Sequence, residues 1–493
     1  MKHLLLCLLI FLPLPALSAD RVALVIGISE YEAIPPLKNT LNDAEAIART
    51  LERIGFDVTQ LSDPGGDAIR EELSRFSFRA ETADLALIYF AGHGVEVQGE
   101  NFLIPADAQV ASNRDIQAQS VSLKDFLASV DRARKMRIVI LDSCRDNPFG
   151  DSLASDTETT GTAASDAARS VGQGLAAPSP DRGTLVAYAA KDGNVALDGA
   201  GENSPFALAL IDKMDDPGLE ISLMFRQVRD EVLRLTENRQ EPHTYGSLSG
   251  VPFFLAGGGS ATDAPGGKAK LAWSALRPDD EAQFRQLAAE GDTRSLLGLA
   301  FMHLNPNEDR FDPVEAARLL ERAANAGSAE AQYELAIQYE TGRGVAADQV
   351  RALELYRQSA AQDFPDAIND LGFFHYHGMM GLPSDSAKAL ALFERAADLR
   401  HPQAMYNFAA LIDDGLIPGK GPKEAAQYLY QALRVGNQDV LKILTEHPET
   451  LKPATRRALQ EELKRFDLYQ GTIDGDFGPG TQRGLRRAYG LES

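Results

Sequence analysis

Arg137-Ile138-Val139-Ile140-Leu141-Asp142-Ser143-Cys144-Arg145-Asp146 is an apolar, β-branched run that stops at a polar turn. Such a run reads as a buried strand, and in an α/β protein Asp142 and Cys144 then lie at its C-terminal exit, where open parallel sheets place their sites. Leu85-Ala86-Leu87-Ile88-Tyr89-Phe90 repeats the pattern and exits into Ala91-Gly92-His93-Gly94. Two strands that each deliver one reactive side chain suggest a Cys/His pair.

The residues before and between these runs alternate strand with helix. Arg21 to Ile28 reads as a buried strand, and Leu37, Leu41, Ala44, Ala48 and Leu51 mark one face of a helix. Phe56-Asp57-Val58 begins a second strand, and Ile69, Leu73 and Phe76 mark a second helix. Ser122 with Asp125 has the form of a capping box ahead of Phe126, Leu127 and Val130. Thr184 to Ala189 reads as a strand, Ser204-Pro205 as a helix start, Phe225 to Leu235 as a helix and Val251 to Leu255 as a last strand. The expected fold is a mostly parallel sheet with helices on both faces, over residues 20–256. Within it, residues 151–182 are rich in Asp, Ser, Thr, Ala and Gly and read as a flexible interior loop.

The flanks have their own signatures. Residues 1–19 have the order of a signal peptide: Lys2 and His3, the apolar Leu4–Leu12, then Pro13, Pro15 and the small residues Ala16-Leu17-Ser18-Ala19. That core is too short to cross a bilayer, no later segment is long and apolar enough, and export to a periplasm or beyond is the expectation. Residues 257–270 form a glycine-rich linker. Beyond it, Ala331, Ala367 and Ala404 recur at intervals of 36 and 37, as do the pairs that begin at Ala323, Ser359 and Ala396. Such a period implies stacked helix pairs, about four between Asp279 and Gly436, within a solenoid assigned to residues 271–445. Residues 453–493 form a last, small helical unit around the loop Gly471-Thr472-Ile473-Asp474-Gly475-Asp476-Phe477-Gly478-Pro479-Gly480-Thr481.

Composition narrows the chemistry. The chain has 493 residues, a formal net charge of −22 and two cysteines. The charge excludes nucleic acid as a natural partner, because phosphate backbones recruit Lys and Arg. With Cys7 in the leader, Cys144 stands alone, so neither an internal disulfide nor a multi-cysteine metal site is open to the mature chain. A lone cysteine acts as a thiolate nucleophile when a base stands near it. His93 is that base, and the backbone N–H groups of Gly94 and Cys144 are the candidate oxyanion hole. No third side chain is evident.

Tyr89-Phe90-Ala91-Gly92-His93-Gly94 and Leu141-Asp142-Ser143-Cys144-Arg145-Asp146-Asn147-Pro148-Phe149 resemble the two catalytic motifs of the caspase-like cysteine peptidases, in the metacaspase and paracaspase branch. Arg21–Ile28, Asn42-Asp43-Ala44 and Asn203-Ser204-Pro205-Phe206 resemble that family in order and spacing. The resemblance implies that Asp43 and Asp142 line the pocket for the substrate side chain before the cut, and two carboxylates there would attract Arg or Lys. It also places the 151–182 loop where related enzymes carry the linker between the larger and smaller parts of the fold, and Arg169 and Arg182, the only basic residues of that loop, are candidate self-cleavage points. Some metacaspases need calcium; no motif of this chain supports such activation, and no metal or other cofactor is expected. The solenoid resembles Sel-one-like tetratricopeptide repeats, which implies a protein partner. The last unit resembles the peptidoglycan-binding module, which implies a cell-wall contact. Two other readings stay open: a caspase-fold scaffold without turnover, and a different acyl transfer such as cell-wall amide hydrolysis.

Overall fold

The computed structural model describes residues 21–109, 112–144, 183–191, 196–246, 248–257, 273, 276, 278–307 and 309–491. The leader, Arg169 and Arg182 with the whole 151–182 loop, and nearly all of the glycine linker lie outside the described residues. Two compact units divide the chain near residue 404.

The first unit begins with an α/β sheet. Its strands are β1 (Arg21–Gly27), β2 (Asp57–Ser62), β3 (Leu85–Val97), β4 (Glu100–Leu103), β5 (Val121–Ser122), β6 (Met136–Cys144), β7 (Thr184–Tyr188) and β8 (His243–Gly246). The order across the sheet is β2-β1-β3-β6-β7-β8, with every neighbour parallel except β8 on β7. Chain order reverses at β1, so the exits of β1, β3 and β6 flank a topological switch point, the usual place for a site in an open α/β sheet. Helices α1 (Thr40–Arg53), α2 (Gly66–Ala80), α3 (Asn113–Gln119), α4 (Leu123–Val130), α5 (Pro205–Met214) and α6 (Ile221–Leu235) surround it. α1 packs on β1 and α5, while α2 packs on α4. The α2 and α4 face buries Leu24, Ile26, Ile88, Phe90, Val139 and Leu141, every second residue of their strands, as a pleated sheet requires.

Three details depart from the sequence reading. β3 does not end at Phe90: its exit continues through His93 to Val97 and pairs antiparallel with β4. Residues 251–255 are not a strand; β8 already occupies the edge of β7, and only an isolated bridge joins Phe254 to Glu220. At Ser122 the hydroxyl accepts the Asp125 N–H as a cap should, but Asp125 answers through the Ser122 hydroxyl rather than its backbone.

Helices α7 (Pro278–Ala289), α8 (Thr293–Leu304), α9 (Pro313–Asn325), α10 (Ala329–Thr341), α11 (Gln349–Ala361), α12 (Pro365–His377) and α13 (Ser386–Asp398) follow in antiparallel succession. Their seams are the alanines of the repeat: Ala331 and Ala367 are fully buried, as are Ala323 and Ala396. This arm is joined to the α/β domain by a buried contact. The Arg294 guanidinium meets Glu220 at 2.6 Å and donates to the carbonyls of Ser249 and Val251. Trp273 lies against Gly298, where a Cβ would come within 2.6 Å of the ring, and donates to the Gly250 carbonyl. Arg400, past α13, returns to the carbonyl of Arg132.

In the second unit, α14 (Pro402–Asp414) leads into α15 (Pro422–Arg434), α16 (Gln438–Glu446), α17 (Pro453–Arg465) and α18 (Pro479–Tyr489). The helices continue to Glu446, and the four pairs counted from the period fall within α8 to α15. Between α17 and α18, the buried Gln460 amide organises the last loop, donating to Asp474 Oδ1 and the Asp476 carbonyl and accepting the Gly475 N–H. No helix among the described residues is long and apolar enough to cross a membrane.

Candidate active site

The register of β3 with β6 pairs Ala91 with Asp142, Gly92 with Ser143 and His93 with Cys144. Adjacent strands run about 4.8 Å apart, so the two backbones that carry the base and the thiol are direct neighbours. The Cys144 side chain lies outside what is described; its backbone is the last residue of β6.

His93 is 8% exposed and is held at two points. Its backbone N–H donates to the Tyr31 hydroxyl at 2.8 Å, and its ring Nε2 lies 3.2 Å from the Pro35 carbonyl. A carbonyl can only accept, so Nε2 carries the proton and the lone pair is on Nδ1. Nδ1 is buried and has no partner among the described residues. Burial holds the imidazole pKa below its usual 6.5, against smaller opposing effects of the Pro35 carbonyl and Asp198. A neutral ring with a free Nδ1 is the form that can take a proton. The third member missing from the sequence reading is therefore a backbone carbonyl, which no residue pattern announces.

Gly94 is placed by the β4 pairing. Ile104 N–H donates to the His93 carbonyl, which makes that facing pair a hydrogen-bonded one. Gly94 and Leu103 then form the alternate pair, and the Gly94 N–H turns away from β4. Gly92 has a steric task. A Cβ there would stand 2.7 Å from the Tyr31 hydroxyl, so the glycine makes room for the group that holds His93.

Beside this pair is a pocket lined by Thr40, Asp43, Gly92, Asp142, Asp198 and Ser204, among others. Asp43 reaches it from the first turn of α1, which presses on the exit of β1 because Gly27 leaves its Ala44 and Thr40 no Cβ to meet. Asp43 Oδ1 accepts from Asn203 Nδ2 at 2.8 Å and from the Ser204 N–H at 3.0 Å. Asp142 Oδ2 accepts from the Tyr89 hydroxyl at 2.9 Å and the Ser204 hydroxyl at 2.8 Å. Ser204 thus ties both carboxylates together while its Oγ caps α5. All these donors are neutral. Burial lifts Asp43 to about 6, with Asp198 adding to it, and lifts Asp142 to about 7, with Asp43 and Asp198 adding to it. Burial, with the charges of Asp142 and Asp43 adding to it, keeps the Tyr89 hydroxyl protonated.

The structure brings His93, Gly94, Asp43, Asp142 and the Cys144 backbone to one sheet edge. It adds Tyr31, Pro35, Ser204 and Asp198, which the sequence reading did not assign. Asp198 accepts the backbone N–H groups of Lys38 and Asn39, at 3.1 and 3.3 Å. Its only sequence signal is an acid in a glycine-rich stretch just before Asn203-Ser204-Pro205. No group of His, Cys, Asp and Glu among the described residues is arranged to hold a metal.

Comparison with known proteins agrees with this architecture. Residues 20–251 match the family model of the caspase domain. Residues 293–328, 329–364, 365–401 and 402–437 each match the Sel1 repeat, one helix pair apiece from α8 to α15. The chain carries a caspase domain followed by Sel1 repeats. It is 29% identical over 139 residues to the mucosa-associated lymphoid tissue lymphoma translocation protein 1 of Homo sapiens, covering 28% of this chain and 16% of that protein. It is 29% identical over 134 residues to chitin synthase regulatory factor 2 of Schizosaccharomyces pombe, covering 25% of this chain and 26% of that protein. The matched stretches span no more than about a quarter of either relative.

Proposed function

We propose that the caspase domain is a cysteine endopeptidase that cuts after Arg or Lys. Cys144 attacks the scissile carbonyl, and His93 takes its proton on Nδ1 and returns it to the leaving amine. The N–H groups of Gly94 and Cys144 face the developing oxyanion. The observation that carries this reading is the pocket: Asp43 and Asp142 are buried together, their hydrogen-bond donors are neutral, and a guanidinium or ammonium supplies the positive charge they lack. The Sel1 arm would recruit a protein partner. The last unit would hold the enzyme near peptidoglycan, and the leader would export it to the periplasm. Calcium is not a required part of this scheme.

Fluorogenic peptides ending in Arg, Lys or Asp test it, with wild type and Cys144→Ala, with and without calcium. Cysteine-dependent cleavage after Arg and Lys is expected; cleavage after Asp would sink the pocket argument. The second reading, a caspase-fold scaffold without turnover, draws support from the repeats and from a relative named as a regulatory factor. It predicts no Cys144-dependent cleavage of any of the three peptides.

A further inference from the structure

We infer that Tyr31 is a positioning residue for His93, acting with Gly92 and the β1–α1 loop. The inference rests on the peptidase reading above for its kinetic consequence, and on geometry alone for the contact itself.

The imidazole can swing unless both its backbone and its tip are held. One loop holds both. Tyr31 accepts the His93 backbone N–H at 2.8 Å, and four residues later Pro35 offers its carbonyl to Nε2. The Tyr31 and His93 rings also meet, with centroids 4.9 Å apart. The loop itself is pinned. Asp63 Oδ1 accepts the N–H groups of Ser29 and Glu30 at 2.6 and 3.0 Å, and the Glu32 N–H donates to the Ala106 carbonyl at 3.0 Å. The Ser29 hydroxyl and the Leu37 N–H close its base, reaching the Leu37 and Ser29 carbonyls respectively. The Tyr31 ring packs against both apolar clusters of the domain. Its hydroxyl fits because residue 92 has no Cβ.

Holding a base in reacting geometry matters because small misplacement is costly to rate and nearly free to binding. Tyr31→Phe keeps the packing and removes the acceptor. It should lower kcat on an Arg-ending peptide roughly 10- to 100-fold and leave KM within about twofold, with the thermal midpoint close to wild type.

A second measurement does not need turnover. In protein labelled with 15N-histidine, with His93 assigned by His93→Gln, the wild-type ring should show the Nε2–H tautomer. Tyr31→Phe should broaden or shift that signal towards a mixture. Unchanged His93 resonances in Tyr31→Phe would overturn the inference whatever the kinetics, as would a change in KM alone. Changed resonances in a protein that cleaves no peptide would leave the positioning standing and overturn the peptidase reading instead.

Discussion

Two of the buried carboxylate sites of the caspase domain are completed in opposite ways. Glu220 is fully buried, caps α6 through the Ser222 N–H, and receives the Arg294 guanidinium of the repeat arm at 2.6 Å. Asp43 and Asp142 are buried too, yet their donors are an amide, a backbone N–H and two hydroxyls. A buried carboxylate that meets its arginine is a joint. A buried pair that meets only neutral donors stays incomplete until a cation arrives, and in the proposed enzyme the substrate supplies it.

The largest effect is expected at the joint. Arg294→Ala leaves Glu220 buried without its partner and should cost about 3–5 kcal/mol of unfolding free energy, read by urea titration of the full chain. Because Arg294 touches no residue of the pocket, the folded fraction should keep its preference among Arg, Lys and Asp peptides. A change of preference would mean that the joint and the pocket are one system.

The pocket should respond in the reverse sense. Asp142→Asn keeps an oxygen for Tyr89 and Ser204 but removes the charge. Loss of one partner of a buried charged contact costs about 2–5 kcal/mol, so kcat/KM for an Arg-ending peptide should fall roughly 30- to 5,000-fold. Unfolding free energy should meanwhile rise at neutral pH, because an ionised carboxylate without a cation is itself destabilising. A variant that lost both activity and stability would show that Asp142 is structural.

These residues differ in how far the sequence announced them. The apolar runs at Val22–Ile26, Leu85–Phe90 and Ile138–Leu141 are plain, and His93, Asp142 and Cys144 follow such runs while Asp43 opens a helix of plain periodicity. Tyr31 and Pro35 lie in a loop without periodicity, and Pro35 acts through a carbonyl that every residue has. Asp198 is held by two backbone amides, a contact set by tertiary closeness. Val95-Glu96-Val97 alternates as a strand should, but the apolar run that reads as a strand stops at Phe90. Phe253 and Phe254 looked like a strand by composition, and fold as a covering segment because the neighbouring edge was taken. Glu220 and Arg294 were invisible as a pair, since neither belongs to a motif and the linker separates them.

The pH response separates the two sites next. The pocket carboxylates have pKa values raised to about 6 and about 7, whereas His93 is lowered. An Arg-binding pocket must be ionised, so the acid limb of kcat/KM should lie between about pH 6 and 7 and not near 4. For stability the sign is opposite to that of a salt-bridged carboxylate. The unfolded groups ionise near 3.8 while the folded ones hold their protons to about 6 and 7, so their stabilisation is complete below 3.8 and is lost as pH rises through that window. The thermal midpoint of Asp43→Asn/Asp142→Asn should therefore depend less on pH across that window than that of wild type, as calorimetry at pH 5 and 8 would read.

The finest comparison uses two serines with the same job. Ser204 and Ser222 each donate a hydroxyl to a buried carboxylate at the start of a helix, Ser204 to Asp142 and Ser222 to Glu220. Replacing either by Ala should cost little: Ser204→Ala loses the cap of α5, about 0.5–2 kcal/mol, and Ser222→Ala a hydrogen bond of about 1 kcal/mol. Their effects on catalysis should diverge. The Ser204 hydroxyl stabilises ionised Asp142, so its removal should move the acid limb of kcat/KM to higher pH. Ser222→Ala should leave that limb in place, because Glu220 keeps its arginine and does not face the substrate. Equal shifts in both variants would mean that the limb reports the stability of the domain rather than the charge of its pocket.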